Sequence, residues 1–424
     1  MWRIIYNIFI ITLFPFFATF ALTQKKIRKT FVERFWATTE NINIRDTIWV
    51  HAASIGEAVI AENLIRSIKQ YIPAQQFIIT TNTYYARDAL RKKFYGDVPI
   101  YSPPFDLTWS IKRFINNSHF KALILIETEV WPNLIWHAKS KNIPIIIVNG
   151  RISDKTLKTY KRLSFFLKHV FSHIDLVLAQ SDEHAARFIS AGMNPGSVKS
   201  IGNLKYFREI EYKEPLFKGN NITFGSVREK EIDQLFLAIQ NLKRTFTDLR
   251  FFIAPREFHL IDSVEKMFSV HFKTVLYSML KKHHNDTSEV VIVDTIGDLL
   301  DIYRNSKVAF VGGSLAPYGG QNILEPLFFC TPVIFGPYIE NFKDIADSII
   351  KNNAGIMVQN ADELFRKLKL LLENDTLREQ MGNQGLNIIK NQREIMKDTI
   401  ENIMELLSQY SNLPPSIQAT EKGI

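Results

Sequence analysis

Glu57 stands three residues after Ser54 in "TIWVHAASIGEA" (47–58), where an apolar run gives way to a helical pattern. Two roles fit a carboxylate at that place. Ser54-Ile55-Gly56-Glu57 is an S-x-x-E capping box, in which Ser54 accepts from the backbone N–H of Glu57 and Glu57 reaches back to the N–H of Ser54. Open α/β sheets also gather their ligands just past the carboxyl ends of strands, and a carboxylate there can take a proton from a substrate. In "ETEVWPN" (127–133), Glu127 and Glu129 close a second apolar run. Pairing with a cation accounts for one of two buried carboxylates more readily than for both. Lys205 in "IGNLKY" and Arg256 after "RFFIAP" are cations at further strand ends. A forked arginine suits a phosphate, although a solvated position suits either cation equally.

"FVGGSLAPYGGQNILEP" (310–326) is glycine-rich and enters a helical pattern near Asn322. Exposed N–H groups at a helix start favour a phosphate, and Glu325 can accept from ribose hydroxyls. A glycine-rich turn ending in a capped helix is the plain alternative. The spacing matches neither G-x-G-x-x-G nor G-x-x-x-x-G-K-[ST]. No metal site is expected: no Cys/His cluster has zinc spacing, no D-x-D follows a strand, and "KKHHND" (281–286) reads as a solvated loop. Cys330, the one cysteine, excludes an intramolecular disulfide. Its apolar setting, "LEPLFFCTPVIF", predicts a small buried residue. "HAASIG" has the look of a nucleophile elbow with Ala52 in place of a glycine, but no Asp and His stand ready to complete a triad.

These residues need a frame that brings strand ends together. Runs of Val, Ile and Leu at 47–51, 77–80, 122–127, 143–150, 176–180 and 198–203 alternate with amphipathic stretches. A second series runs through 222–226, 250–255, 290–294, 308–313, 332–336 and 354–358. Such patterns predict α/β folding into two parallel sheets, each covered on both faces. The polar and glycine residues fall just after the strands, so a cleft between two carboxyl edges is the expected site. The expected divisions are a membrane anchor at 1–24, a first domain at 25–207, a linker at 208–221, a second domain at 222–387, a closing helix at 388–412 and a tail at 413–424. Ile4 to Leu22 carries no charge and is close to the ~20 residues a spanning helix needs. The cations Lys25, Lys26, Arg28 and Lys29 follow, which places the rest of the chain on the cytoplasmic side. Pro15 in mid-segment also fits a helix that only dips into one leaflet. A formal charge of +9 points to an anionic partner. "TYKRLSFFLKHVFSHI" (159–174), with Lys161, Arg162, Phe165 and Phe166, suits either anionic headgroups or ordinary packing on the sheet.

Taken together and in order, "HAASIGE", "ETEVWPN", "NGRIS", "IGNLKY", "DTIGDLLDIY", "FVGGSLAPYGGQNILEP" and "PVIFGPYIENF" resemble the motif series of bacterial 3-deoxy-D-manno-octulosonic acid (Kdo) transferases. The resemblance spans roughly residues 1 to 350. It implies a GT-B fold of two Rossmann-like domains facing a cleft, with an N-terminal membrane anchor helix. It also implies a CMP-Kdo donor, a lipid A precursor as acceptor, the cytoplasmic face of the inner membrane, no nucleic-acid partner, no cofactor and no metal. By this resemblance Glu57 corresponds to the catalytic base, and Glu127 and Lys205 to groups stabilising the transition state. Pro255 and Arg256, then Ile296, Gly297 and Asp298, then Asn322, Ile323, Leu324 and Glu325, correspond to CMP-binding segments. Two stretches depart from the family pattern. "APREFHLI" lacks the histidine and further arginine that usually follow proline-arginine, and "GSVREKEID" replaces a Thr-His-x-Gly-Glu-like run, leaving the role of Ser226 to Glu231 open. Rival expectations are a GT-B enzyme moving a UDP-sugar to another lipid, and a non-catalytic membrane-tethered scaffold.

Overall fold

The computed structural model describes residues 1–23, 25–36, 46–116, 119–210, 220–282 and 287–410. The chain divides into two compact units. One holds residues up to Arg208 and those from Gln392 on; the other holds Glu209–Asn391. The expected tail and most of the expected linker, like His283 and His284 of "KKHHND", lie outside the described residues.

In the first unit seven parallel strands form one sheet: β1 (Thr47–His51), β2 (Gln76–Thr80), β3 (Ile100–Tyr101), β4 (Phe120–Ile126), β5 (Ile145–Gly150), β6 (Leu176–Ala179) and β7 (Val198–Ser200). Their order is β3-β2-β1-β4-β5-β6-β7. Burial on both faces explains the unbroken apolar runs. In β4, Ile124 and Ile126 pack on one face with Ile60, Leu64 and Ile68, while Leu123 and Leu125 pack on the other with Ile135 and Trp136. The strand order reverses between β1 and β4, and a crevice opens at such a switch point. Glu57 follows β1 and Glu127 follows β4, so the topology carries both to that place.

The second unit repeats the plan with β8 (Asn221–Val227), β9 (Arg250–Pro255), β10 (Thr274–Leu276), β11 (Val290–Ile292), β12 (Ser306–Val311), β13 (Val333–Phe335) and β14 (Gly355–Met357). The order is β10-β11-β9-β8-β12-β13-β14, and the reversal falls between β8 and β12. β3 and β10 were not among the expected strands. Two and three residues carry too little period to register, and each forms only because an edge is there to pair with.

Three expectations about elements change. The closing helix begins well before residue 388: it runs Asp375–Tyr410, with Met381 in the core of the second unit and Ile395, Ile400 and Ile403 in that of the first. Gly382 and Gly385, poor helix formers, sit inside it because a Cβ at Gly382 would lie 2.0 Å from the Cys330 carbonyl oxygen. No α-helix starts near Asn322, where only a one-turn 3₁₀ segment, Pro326–Phe329, forms. Cys330 ends that turn in the left-handed region (φ 56°) and is exposed, because the apolar run around it folds as a turn rather than as a single buried strand.

At the N-terminus, α1 (Trp2–Thr23) and α2 (Lys25–Trp36) precede the first strand. Among the described residues α1 is the one helix long and apolar enough to cross a bilayer, by length and composition. Its first two turns are tied to the first unit. Arg3 Nη2 lies 2.9 Å from His137 Nε2, Tyr6 donates to Asp106 Oδ2 at 2.7 Å, and Asn7 Nδ2 donates to Asn133 Oδ1 at 3.0 Å. Farther along, the rings of Phe14 and Phe17 meet Phe105 at 5.5 and 5.6 Å.

Candidate active site

Ser54 caps α3 (Ile55–Tyr71) in an extended conformation, and its Oγ accepts from Glu57 N at 3.3 Å. The return bond differs from a standard capping box. Glu57 Oε2 accepts from Ala53 N at 2.7 Å, one residue before the cap, rather than from Ser54. Glu57 is therefore both a capping group and a carboxylate held at the switch point, with 8% of its surface exposed.

Glu127 enters from the neighbouring strand with a left-handed backbone, φ 61°, while its N–H donates to Val148 O at 2.9 Å. For a residue with a Cβ that conformation costs on the order of 1–2 kcal/mol, and strain of this kind collects at functional sites. Burial pushes the Glu127 carboxyl above the usual range and the charge of Glu57 adds to this, while Arg151 and Lys205 pull it back. Glu129 is likewise raised, first by burial and then by Glu57 and Glu127. Trp131 Nε1, donating to it at 2.8 Å, and the guanidinium of Arg34 oppose the rise. Three carboxylates thus share one field with Lys205, Arg151 and Arg34.

Lys205 sits in a one-turn 3₁₀ helix, Leu204–Tyr206. Two side chains hold that turn: Asn203 Oδ1 accepts from Lys205 N at 3.0 Å, and Asn149 Oδ1 accepts from Leu204 N at 2.9 Å. Asn149, fully buried at the end of β5 with φ 59°, can adopt this backbone because its short amide tolerates the left-handed region. Behind the carboxylates, His51 is buried, with Nδ1 2.9 Å from Thr80 Oγ1 and Nε2 3.9 Å from Glu129 Oε2. Burial, aided by Arg34, pushes its pKa down to about 4, so the ring is neutral at physiological pH.

In the second unit the expected nucleotide segments follow β9, β11 and β12. Pro255 ends β9, and Arg256 is exposed with its N–H donating to Val227 O at 2.8 Å. Ile296 is 86% exposed, a large apolar side chain in the open, and Gly297 beside it adopts φ 93°. Asp298 is committed on both oxygens, to Thr295 Oγ1 at 2.5 Å and Lys281 Nζ at 2.6 Å. Asn322 Nδ2 donates to Glu325 Oε1 at 3.1 Å and its Oδ1 accepts from Leu324 N at 3.2 Å, while Ile323 and Leu324 are buried. The glycine-rich loop does not offer its first N–H groups to a phosphate. Glu231 already takes them: Oε2 accepts from Gly313 N at 2.7 Å, and Oε1 from Ser314 N and Leu315 N, each at 2.8 Å. A fully buried carboxylate must find such donors or shed its charge, and this one finds a ready nest.

Sequence reasoning counted Asn149 only as one of the polar residues just past the strands, left the role of Glu231 open, and missed Arg34 as part of the site. Asn149 and Glu231 had a signal, a polar residue just past a strand. Arg34 had none, since it belongs to a helix far from any strand end.

Two family models match the chain: 3-deoxy-D-manno-octulosonic-acid transferase over residues 29–208, and glycosyl transferases group 1 over residues 222–387. A 3-deoxy-D-manno-octulosonic acid transferase of Aquifex aeolicus is 30% identical over 89% of this chain and 98% of its own length. The chain belongs to the Kdo transferase family. Kdo transferases are glycosyltransferases, and that is the class of this enzyme. A bifunctional glycosyltransferase/methyltransferase of Fusobacterium nucleatum is 32% identical over 91% of the chain, which spans 63% of that longer protein. Among solved structures, a UDP-N-acetylglucosamine 2-epimerase superposes with a TM-score of 0.53 at 12% identity, covering 88% of this chain and 99% of its own. That likeness speaks for the fold alone, the two-domain GT-B architecture, and not for chemistry.

Proposed function

We propose that this Kdo transferase moves Kdo from CMP-Kdo to a lipid A precursor, a tetra-acyldisaccharide 1,4'-bisphosphate, at the cytoplasmic face of the inner membrane. The observation that carries the reading is the cluster at the β1–β4 switch point, where Glu57, Glu127 and Glu129 sit in one field with Lys205 and Arg151. In the reaction a sugar hydroxyl of the acceptor gives its proton to Glu57. Its oxygen forms the new bond to the anomeric carbon as the bond to the phosphate oxygen breaks, and CMP departs from the opposite face with the electron pair. The sugar is inverted. Glu127 would offset positive charge developing on the sugar ring, and Lys205 would join it in stabilising the transition state while limiting the repulsion among the acids. Pro255, Arg256, Ile296 to Asp298 and Asn322 to Glu325 would hold CMP, with Arg256 on the phosphate.

Glu57→Gln tests the assignment, because it keeps an oxygen for Ala53 N and removes the base. With CMP-Kdo generated in situ and a tetra-acylated precursor, mass spectrometry should find product formation reduced about 10²–10⁴-fold while the melting temperature holds. Near-normal turnover would remove Glu57 from the mechanism. Titration calorimetry with CMP against UDP tests the donor separately, and tighter binding of UDP would favour a UDP-sugar.

A further inference from the structure

Arg228 lies in the stretch, Ser226 to Glu231, whose role the sequence left open, and it follows β8 at the switch point of the second sheet. Its guanidinium is held on two sides. Nη1 pairs with Glu257, which stands just past the end of β9. The guanidinium carbon lies 4.6 Å from the centre of the Tyr318 ring, in the glycine-rich loop that follows β12. Three segments from neighbouring strands therefore converge to fix one cation. Val227 pairs in register with Pro255, so Arg228 and Arg256 leave adjacent strand ends on the same edge.

The arrangement differs from a surface ion pair in two respects. The Arg228 side chain is only 24% exposed, and Nε is buried with no hydrogen-bond partner. Glu257 meets one part of the fork and the aromatic face fixes its plane, which leaves an oriented cation with donors to spare. A guanidinium so held loses little freedom when it meets a two-oxygen anion. The neighbouring N–H nest at Gly313 to Leu315 is filled by Glu231, so a phosphate at this edge must find its donors in side chains.

We infer that Arg228 is a donor-binding residue that meets the phosphate of the nucleotide, with Glu257 and Tyr318 positioning it. The inference rests on the nucleotide-donor reading above and adds to it the residue that answers the phosphate charge. Calorimetry on the full chain with CMP and with cytidine tests it. Arg228→Gln should weaken CMP about tenfold or more and leave cytidine unchanged, as loss of a charge-assisted contact requires. Arg228→Lys, which keeps the charge without the fork, should lie between. Glu257→Gln should weaken CMP a few-fold through lost orientation, again without touching cytidine. Equal CMP affinity in Arg228→Gln and the unaltered chain would overturn the inference, as would a parallel loss of cytidine in both arginine variants. If the unaltered chain binds UDP instead of CMP, the donor assignment fails on its own. The same variants, titrated with UDP against uridine, then decide the role of Arg228.

Discussion

At the scale of single residues, the acid cluster is an expensive arrangement made tolerable by its surroundings. Glu127 and Glu129 are raised by burial and by the charge of Glu57, and Glu129 by that of Glu127 as well, so each favours keeping a proton, while Lys205 and Arg151 hold Glu127 nearer its ionised form. The position of Lys205 is therefore a functional quantity, and it hangs on Asn149. Replacing Asn149 by Gly keeps a backbone able to adopt positive φ and removes only the acceptor for Leu204 N. An unsatisfied buried N–H costs about 1–3 kcal/mol, so the 204–206 turn should loosen. We expect at least a tenfold loss of turnover with CMP affinity unchanged, and a melting temperature lowered by a few degrees. Asn149→Ala adds left-handed strain and should melt lower still. Parallel calorimetry and kinetics check this: a fall in CMP affinity matching the fall in turnover would mean that Asn149 acts on the donor and not through Lys205.

At the scale of elements, the long strands were legible because burial on both faces writes itself into the chain as unbroken Val, Ile and Leu. Glu57 and Glu127 were legible for the same reason, since each stands where such a run ends. What escaped was whatever depends on a partner distant in sequence. β3 and β10 are defined by their neighbours, the helix expected at Asn322 collapses into one 3₁₀ turn, and the glycine-rich loop looks like a phosphate cradle until Glu231, 82 positions earlier, is seen to fill it. Nothing local to either segment announces that bond. The loop then owes its shape to a side chain of the chain itself, which can be tested. Glu231→Gln retains one oxygen but turns an amide NH₂ toward backbone N–H donors, leaving at least one of them unsatisfied and repelled. Losing a charged acceptor and leaving a buried N–H unsatisfied costs roughly 1–3 kcal/mol. Urea unfolding should show a correspondingly lower midpoint with an unchanged slope. Unaltered stability would mean that another group can take over the nest.

At the scale of the whole molecule, the question is how an enzyme with an N-terminal apolar helix would meet the lipid-borne acceptor proposed for it. The first unit grips α1 from Trp2, whose ring lies 5.2 Å from Phe165, to Phe17 against Phe105. At 1.5 Å per residue that grip runs about 22 Å along the helix, and Ala21 in its last turn is buried as well. α2 is fastened too: Glu33 takes Arg87 Nη1 at 2.7 Å and Ser102 N at 2.9 Å, and Arg34 Nε donates to Pro103 O at 3.1 Å. We propose that α1, held to a folded unit in this way, lies on the bilayer rather than across it. On that reading its outer face, with Ile4, Ile8 and Phe16 more than 60% exposed, would rest in one leaflet, together with the exposed Phe165 and the cations Lys161 and Arg162. Arg34 stands at the junction, since α2, which packs back on α1 through Phe35 against Phe14, also carries the charge that opposes the rise of Glu129. Serine at Ile4, Ile8 and Phe16 should therefore lower partition onto anionic liposomes by about tenfold or more per residue, at constant melting temperature. Asn7→Ala should do the reverse, lowering the melting temperature and sparing partition. On the one-leaflet reading, a protease site placed ahead of Trp2 should be cut only in vesicles that also expose the catalytic units. Cleavage in intact spheroplasts would mean that α1 leaves the unit and spans.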